Sequence, residues 1–421
     1  MSNKDKDVSI FREAVKSIIE IMKNASKPTI IYDTIPQINL NKQEWSLKER
    51  AKTVYPNVIE FYNEIAHLQS VKKCLDLMIE RDFPKYLEMI ITDNDGKLVG
   101  NPDYKSFLMS EILGNFVNMY LDAYGFEVIE ENFKKLYNDM IAYVYSKYRE
   151  AVIVSPLNNF EMQNLDEFII DEYKVRKLTE WEMIELIENG YKLGFIFTPT
   201  WGSIETMYCV ERILQFPKRH THPLEPYLSD FITLLRLSKS GVVGHYVILH
   251  YSKTWRTSWS ISGPSQDVPI SSPSYILKKS DIQPLTLFWG QFNKVKNYFP
   301  NNMKFALRWF NKSYEELETY DKLLDLAIAL EVLFGSSSRL DLYVSHFIGL
   351  NKDEKIELNR IIVELRKKRG AIVHSGYCSV EHDFVIMLED IFRRSIQKFI
   401  SLLNDSSYKE IIRDIKTSIL Q

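Results

Sequence analysis

The stretch Ile361-Ile-Val-Glu-Leu-Arg-Lys-Lys-Arg-Gly-Ala-Ile-Val-His-Ser-Gly376 is the part of the chain from which the rest is interpreted. An apolar helical run ends in a basic cluster, Arg366 to Arg369, and His374 follows five residues after Arg369. Arginine is a permanent, planar cation suited to phosphate oxygens, and histidine readily exchanges a proton near neutral pH. The stretch therefore combines, at one helix end, the smallest set of groups that can cleave a phosphodiester without a metal.

The spacing alone does not identify a site, because short motifs recur by chance. Arg339 and His346 form a similar pair, with six residues between them instead of four. The surrounding sequence must therefore distinguish the two pairs. We interpret His346 as a packing or surface residue.

The surrounding sequence resembles the HEPN-domain proteins, in particular the Apea-like branch. The resemblance rests on Phe305-Ala-Leu-Arg-Trp-Phe-Asn-Lys-Ser-Tyr-Glu-Glu316, Asp321-Lys-Leu-Leu-Asp-Leu-Ala-Ile-Ala-Leu-Glu-Val-Leu-Phe334 and Leu365–Gly376, and it covers roughly residues 300–405. It implies an all-helical domain that commonly acts as a metal-independent endoribonuclease in bacterial antiphage and toxin systems. On this resemblance, the catalytic pair is Arg369 and His374.

The chain departs from the family pattern at three points. Gly370 replaces a small polar residue, Ser375 separates the closing His and Gly, and the segment Val344–Phe347 lacks a second Arg. An alternative function follows from these differences: a catalytically inactive HEPN module that binds RNA, a nucleotide or a partner protein. A helical scaffold without a nucleic-acid role is a third possibility.

Helical geometry leaves two arrangements of the motif open. Five residues on an ideal α-helix place Arg369 and His374 about 140° apart. Either the helix is distorted near Gly370, or a second copy completes the site across a two-fold axis, as the resemblance to HEPN nucleases implies. We therefore expect a homodimer packed through Leu326–Phe334 and Ile361–His374. His374 would transfer the proton while Arg369 stabilises the phosphate charge, leaving a 2′,3′-cyclic phosphate on the RNA.

Several further residues are candidates for supporting this site. Glu331 lies in an apolar helical run and either faces water or orients Arg369 or Arg366. Two further groups are candidate RNA contacts. One is the pair of lysines next to the motif, and the other combines two cations with an aromatic residue: Lys367 and Lys368; Lys253, Trp255 and Arg256. The last three lie between predicted strands, where aromatic residues more often pack in a core.

No cofactor or metal site is expected. His245 and His250 lie five apart on a predicted strand and face opposite sides, so they do not share a metal with His220 and His222. Cys74, Cys209 and Cys378 are few and widely spaced, which suggests neither a disulfide framework nor a thiolate zinc site and fits a reducing cytoplasm.

Composition is that of an ordinary globular protein: 45% of the 421 residues are hydrophobic and 26% are charged. The formal net charge of −3 means that any RNA site must be a local basic patch. The N-terminus lacks a secretory signal, and no uncharged apolar run approaches the ~18 residues that span a bilayer. We expect no membrane partner.

Patterning predicts an α+β chain that is mainly helical, in three parts. Residues 1–155 are expected to be a mainly helical N-terminal domain, 156–290 a mixed strand and helix domain with a sensing or regulatory role, and 291–421 a HEPN-like helical bundle. The sequence does not indicate the RNA target or a trigger, such as a regulatory partner or a phage component.

Overall fold

The computed structural model describes residues 3–25, 27–39, 44–81, 83, 104–179, 181–183, 185–186, 208–217, 226–245, 247–251, 259–262, 274–335 and 338–420. Elements are numbered in chain order within these ranges. The prediction of an α+β, mainly helical chain is confirmed.

The N-terminal part is helical, with one antiparallel hairpin of two strands, β1 (Thr29–Asn39) and β2 (Glu44–Val54). Its helices are α1 (Asn3–Ala25), α2 (Tyr62–Ala66), α3 (Gln69–Glu80), α4 (Tyr104–Leu108), α5 (Asn115–Tyr124) and α6 (Glu130–Tyr145). A π-helical turn, Met109–Gly114, joins α4 to α5. The core of this part is aromatic: Phe11 packs edge-on against Phe116 and Tyr137, with ring centroids 5.0 and 5.2 Å apart.

A sheet of seven strands follows, and the described pairings within it are antiparallel. The strands run in the order β10-β9-β3-β7-β6-β5, and β8 pairs with β3. Their bounds are β3 (Tyr148–Asn158), β5 (Glu167–Ile170), β6 (Tyr173–Lys177), β7 (Tyr208–Pro217), β8 (Gly244–His245), β9 (Ile248–Tyr251) and β10 (Trp259–Ser262). A separate parallel pair joins β4 (Phe160–Gln163) to β11 (Tyr275–Lys278).

Both faces of strand β3 are buried over residues 151–157. Along β3, Ala151 and Ile153 face the largest core of the chain, while Val152 and Val154 face a smaller cluster with Cys209. This alternation follows from the two-residue period of a strand.

Helices make up the rest of the described chain. They are α7 (Pro226–Ser238), inserted between strands, and then α8 (Ile282–Val295), α9 (Asn301–Ser313), α10 (Thr319–Phe334), α11 (Leu340–Ile348), α12 (Lys352–Ser375), α13 (His382–Leu402) and α14 (Tyr408–Ser418). Stacked rings of Phe310 and Phe392, 4.5 Å apart, join α9 to α13.

One apolar core extends from the sheet through all of these C-terminal helices. It includes Ile153 on β3, Trp289 on α8 and Ile400 on α13. The boundary expected at 155/156 lies inside β3, and the one expected at 290/291 lies inside α8, whose Leu285, Trp289 and Phe292 are all buried. The apolar residues of the described chain therefore form two large cores, one within 11–144 and one within 151–415.

Within the described ranges, no helix is both long enough and apolar enough to cross a lipid bilayer.

Candidate functional site

The basic cluster lies on α12, a helix that runs unbroken from Lys352 to Ser375. The Asn351 side chain accepts a hydrogen bond from the Glu354 amide at 3.0 Å and caps its first turn. Gly376, with a φ of 74°, ends the helix in the left-handed conformation that glycine adopts readily. One face of α12 is buried in the large core through Leu358, Ile362, Leu365 and Ile372, which leaves the opposite face to carry the charges.

Gly370 does not interrupt this helix. A Cβ built at Gly370 meets no atom within 4 Å, so the glycine borders open space. The structure shows no break of α12 at Gly370. Arg369 and His374 remain about 140° apart around the axis and about 7.5 Å apart along it.

Two stripes of side chains result from this geometry. Arg366 and Arg369, three residues apart, share one stripe, and Lys367 and His374, seven apart, share the other. Lys367 and His374 are both exposed to solvent. The exposed Val373 and Tyr377 border His374.

Glu331 lies beside Arg369, as one of the two interpretations of its apolar surroundings predicted. Its carboxylate Oε2 is 3.5 Å from Arg369 Nη2, and the Glu331 side chain is 17% exposed against 40% for Arg369. A half-exposed ion pair of this length stabilises the fold by at most about 1 kcal/mol. Its main effect is to hold the guanidinium near α10.

Arg366 has other partners. Its Nη1 lies 3.7 Å from Asp341 Oδ1 at the start of α11 and donates a long hydrogen bond of 3.4 Å to the Ser338 carbonyl. The Arg366 side chain remains 44% exposed, so a ligand can reach it.

Lys368 is engaged within the chain. Its Nζ donates to the Ser379 carbonyl at 2.9 Å and to Glu381 at 3.0 Å, and it lies 5.5 Å from the centre of the Phe384 ring. The hydrogen bond from Lys368 to Glu381 raises the pKa of the lysine. Lys368 therefore ties the 376–381 turn to α12, and it lies apart from the two exposed stripes.

Lys253, Trp255 and Arg256 lie outside the described residues, as do His220 and His222. His245 is buried, and its pKa is lowered to about 4, first by burial and then by the nearby Arg236. In the ranges that the structure describes, no three His, Cys, Asp or Glu side chains are placed to hold a metal ion.

A buried charge cluster that the sequence analysis did not identify connects three helices. Arg236 on α7 donates to the Val243 carbonyl at 2.8 Å and to Asn311 Oδ1 at 3.0 Å, and it lies 4.6 Å from the Tyr314 ring centre. Arg393 on α13 donates to Glu389 at 2.7 Å and to the Arg236 carbonyl at 2.9 Å. One arginine inside the apolar run Phe231–Leu237 was the available sequence signal.

Neither a protein-family model, nor a curated protein, nor a solved structure matches the chain.

Proposed function

We propose that this chain is a metal-independent endoribonuclease of the HEPN type, a cytoplasmic effector in antiphage or toxin-like defence. One observation carries the proposal. Arg369 is held against Glu331 on an unbroken helix that also presents Arg366, Lys367 and His374 to solvent. These groups belong to the sequence pattern that resembles the HEPN domain.

The reaction follows from the two side chains. His374 takes the proton of a ribose 2′-hydroxyl, or supplies one to the leaving 5′-oxygen. The 2′-oxygen forms a bond to phosphorus, the bond from phosphorus to the 5′-oxygen breaks, and the products are a 2′,3′-cyclic phosphate and a 5′-hydroxyl. Arg369, with Arg366 one turn earlier, stabilises the charge on the phosphate oxygens. DNA is inert because it has no 2′-hydroxyl.

The site is completed by a second copy. Arg369 and His374 occupy different stripes of α12, so one helix does not direct both at one phosphorus. A two-fold axis places the same surface on both subunits, and the Arg stripe of one protomer can then face the His stripe of its partner. Most of α10 is buried in its own chain, so the exposed side of α12 provides the greater part of this contact surface. Open space at Gly370 allows close approach.

Cleavage by purified protein in EDTA tests the activity. We expect single-stranded RNA to be cut to 2′,3′-cyclic phosphate ends, and we expect His374→Ala and Arg369→Ala to lose at least about 100-fold in rate. His382→Ala, at an exposed histidine outside α12, is the matched control and should cleave normally. Activity that disappears with chelator, or that His374→Ala retains in full, contradicts the proposal.

Light scattering tests the composite site. We expect a dimer that tightens when RNA is added at low salt, because bound phosphate relieves the repulsion between two basic clusters. A chain that stays monomeric at micromolar concentration, with and without RNA, rules this site out.

A second candidate function is a catalytically silent HEPN module that binds RNA, a nucleotide or a partner. The departures at Gly370 and Ser375 favour it. It predicts RNA binding that Arg366→Glu and Lys367→Glu weaken, without any cleavage that depends on His374.

A further inference from the structure

A cleft of about 380 Å³ lies where the end of α7, strand β11, helix α8 and helix α13 meet. Its lining includes Ser238 and Lys239, Tyr275, Phe288 and Gln291, and Gln397. None of the lining residues belongs to α10 or α12, so the cleft is separate from the candidate ribonuclease site. Its volume is at the lower end of the range for small-molecule sites, which suits a ligand with one or two rings.

Helix α8 forms one side of the cleft. Leu285, Phe288 and Gln291 follow one another at three-residue intervals on α8 and therefore lie along one side of that helix. Leu285 is buried at the base of this stripe, and Leu277 of β11 adds a second buried apolar group. An aromatic ring on a helix, backed by buried leucines, offers a preformed surface for a flat ligand.

Several polar groups of the lining are already engaged. Ser238 donates to the Leu235 carbonyl at 2.8 Å, so the hydrogen bond of 2.6 Å between Ser238 and Tyr275 is donated by the tyrosine. Lys239 donates to the Ile276 carbonyl at 2.6 Å and to Asp281 at 2.7 Å.

The two glutamine amides retain unused hydrogen-bonding capacity. Gln397 Nε2 donates to the Leu237 carbonyl at 2.6 Å, which leaves one N–H and the amide oxygen of Gln397. Gln291 makes no hydrogen bond within the described part of the chain, so its whole amide is available. Each amide presents a donor beside an acceptor. Such a pair matches the edge of a heterocycle that carries adjacent donor and acceptor atoms, as nucleobases do.

The charges of the lining select a neutral ligand. Lys239 and Asp281 are its charged residues, and their side chains are paired at 2.7 Å. A phosphate would have to compete with Asp281 for Lys239 and would meet the repulsion of that carboxylate. The Phe288 ring, the two glutamine amides, the volume and the paired charges of the lining all suit a small, neutral, aromatic ligand. We propose that the cleft binds a nucleoside through its base.

Calorimetric titration of the full chain with adenosine, guanosine, cytidine and uridine tests the proposal. We expect one of the four to bind saturably, at one site per chain, and its 5′-monophosphate to bind no tighter. Gln291→Ala removes an exposed amide and should weaken binding about tenfold. Phe288→Ala should weaken it by a similar factor through loss of the stacking surface. Phe305→Ala, at an exposed phenylalanine of α9 outside the cleft, is the control and should bind normally.

Three outcomes overturn the proposal. They are no binding of any nucleoside at millimolar concentration, binding that Gln291→Ala leaves unchanged, and a monophosphate that binds tenfold tighter than its nucleoside. Gln291 is on the surface, so its substitution reports on the ligand even if Phe288→Ala fails to fold. The readout does not involve RNA cleavage, so the test is independent of the proposed ribonuclease activity.

Discussion

Arg369 shows how the chain positions a cation that solvent can still reach. Arg369 belongs to α12, whose opposite face is buried in the large core. Glu331 of α10 lies 3.5 Å from the Arg369 guanidinium. The pair contributes little to stability at this exposure, because water and salt screen it. It does limit the directions in which the guanidinium points, and that is the property a phosphate site requires.

Glu331→Gln separates these two effects. We expect its free energy of unfolding to change by less than about 1 kcal/mol. RNA should bind more tightly at low salt, because a neutral amide no longer competes with phosphate for Arg369. Cleavage of bound RNA should slow, because the guanidinium loses its orienting partner. Fluorescence anisotropy measures the affinity for RNA, and single-turnover cleavage measures the rate. Glu364→Gln is the control, because the partner of Glu364 is Lys368. Equal affinity and rate in Glu331→Gln would show that Glu331 has no part in the site.

His245 predicts a pH dependence of stability. Burial, and then Arg236, lower the pKa of this histidine to about 4 from its ordinary value of 6.5, so the folded state favours the neutral ring. Its contribution to stability is full above pH 6.5 and is lost as the pH falls toward 4. Relative to His245→Gln, the wild type should lose about 2 kcal/mol of stability between pH 8 and pH 5. Denaturant titrations of both proteins at each pH measure this difference, in which the contributions of other groups cancel. Parallel stability curves would contradict the buried neutral state.

At the scale of the element, α12 uses its two glycines differently. Gly376 ends the helix with a positive φ and donates its amide to the Ile372 carbonyl at 2.9 Å. Gly370 lies in the helix interior, has no positive φ and faces open space. Only Gly376 is required by the backbone conformation.

Alanine substitutions should therefore act in opposite directions. Gly370→Ala should stabilise the monomer by about 1 kcal/mol, because alanine favours the helix and no atom of the same chain obstructs its methyl group. Gly376→Ala should destabilise it by about 1 kcal/mol or more, because a left-handed residue with a Cβ is strained. Chemical denaturation measures both changes. A loss of stability in Gly370→Ala would mean that another surface occupies the space beside this residue.

At the scale of the whole molecule, the sheet and the C-terminal helices share one core. Trp289 of α8 packs edge-on against Tyr173 of β6, with ring centroids 5.5 Å apart. Arg393 of α13 donates to the carbonyl of Arg236 on α7, and Gln397 donates to that of Leu237. The two hydrogen bonds of Arg393 and Gln397 cross the boundary expected near residue 290. Because one core includes residues of both the sheet and the C-terminal helices, the helical part depends on the sheet for part of its buried surface.

Truncation tests this dependence. A fragment of residues 147–421 should fold and unfold in one cooperative transition, because it contains the whole of the large core. A fragment of residues 291–421 should unfold at a lower temperature or without cooperativity, because it exposes apolar residues and leaves the buried Arg393 without a partner carbonyl. Calorimetry compares the two. If the fragment 291–421 is as stable as the fragment 147–421, residues 291–421 form an independent domain.

The local features of this protein can be predicted from its sequence. The apolar spacing of α12, its end at Gly376 and the positions of Arg369 and His374 along it follow from residues a few positions apart, which a helical period relates directly. The pairing of Glu331 with Arg369 was one of two possibilities that its apolar surroundings left open. Side chains that are distant in the sequence meet because the helices and strands pack together. Lys368 donates a hydrogen bond to Glu381. Arg236 donates to Asn311, 75 residues later in the chain, and Arg393 donates to the Arg236 carbonyl across a separation of 157 residues. Such contacts depend on how whole surfaces pack, and no local period encodes that packing.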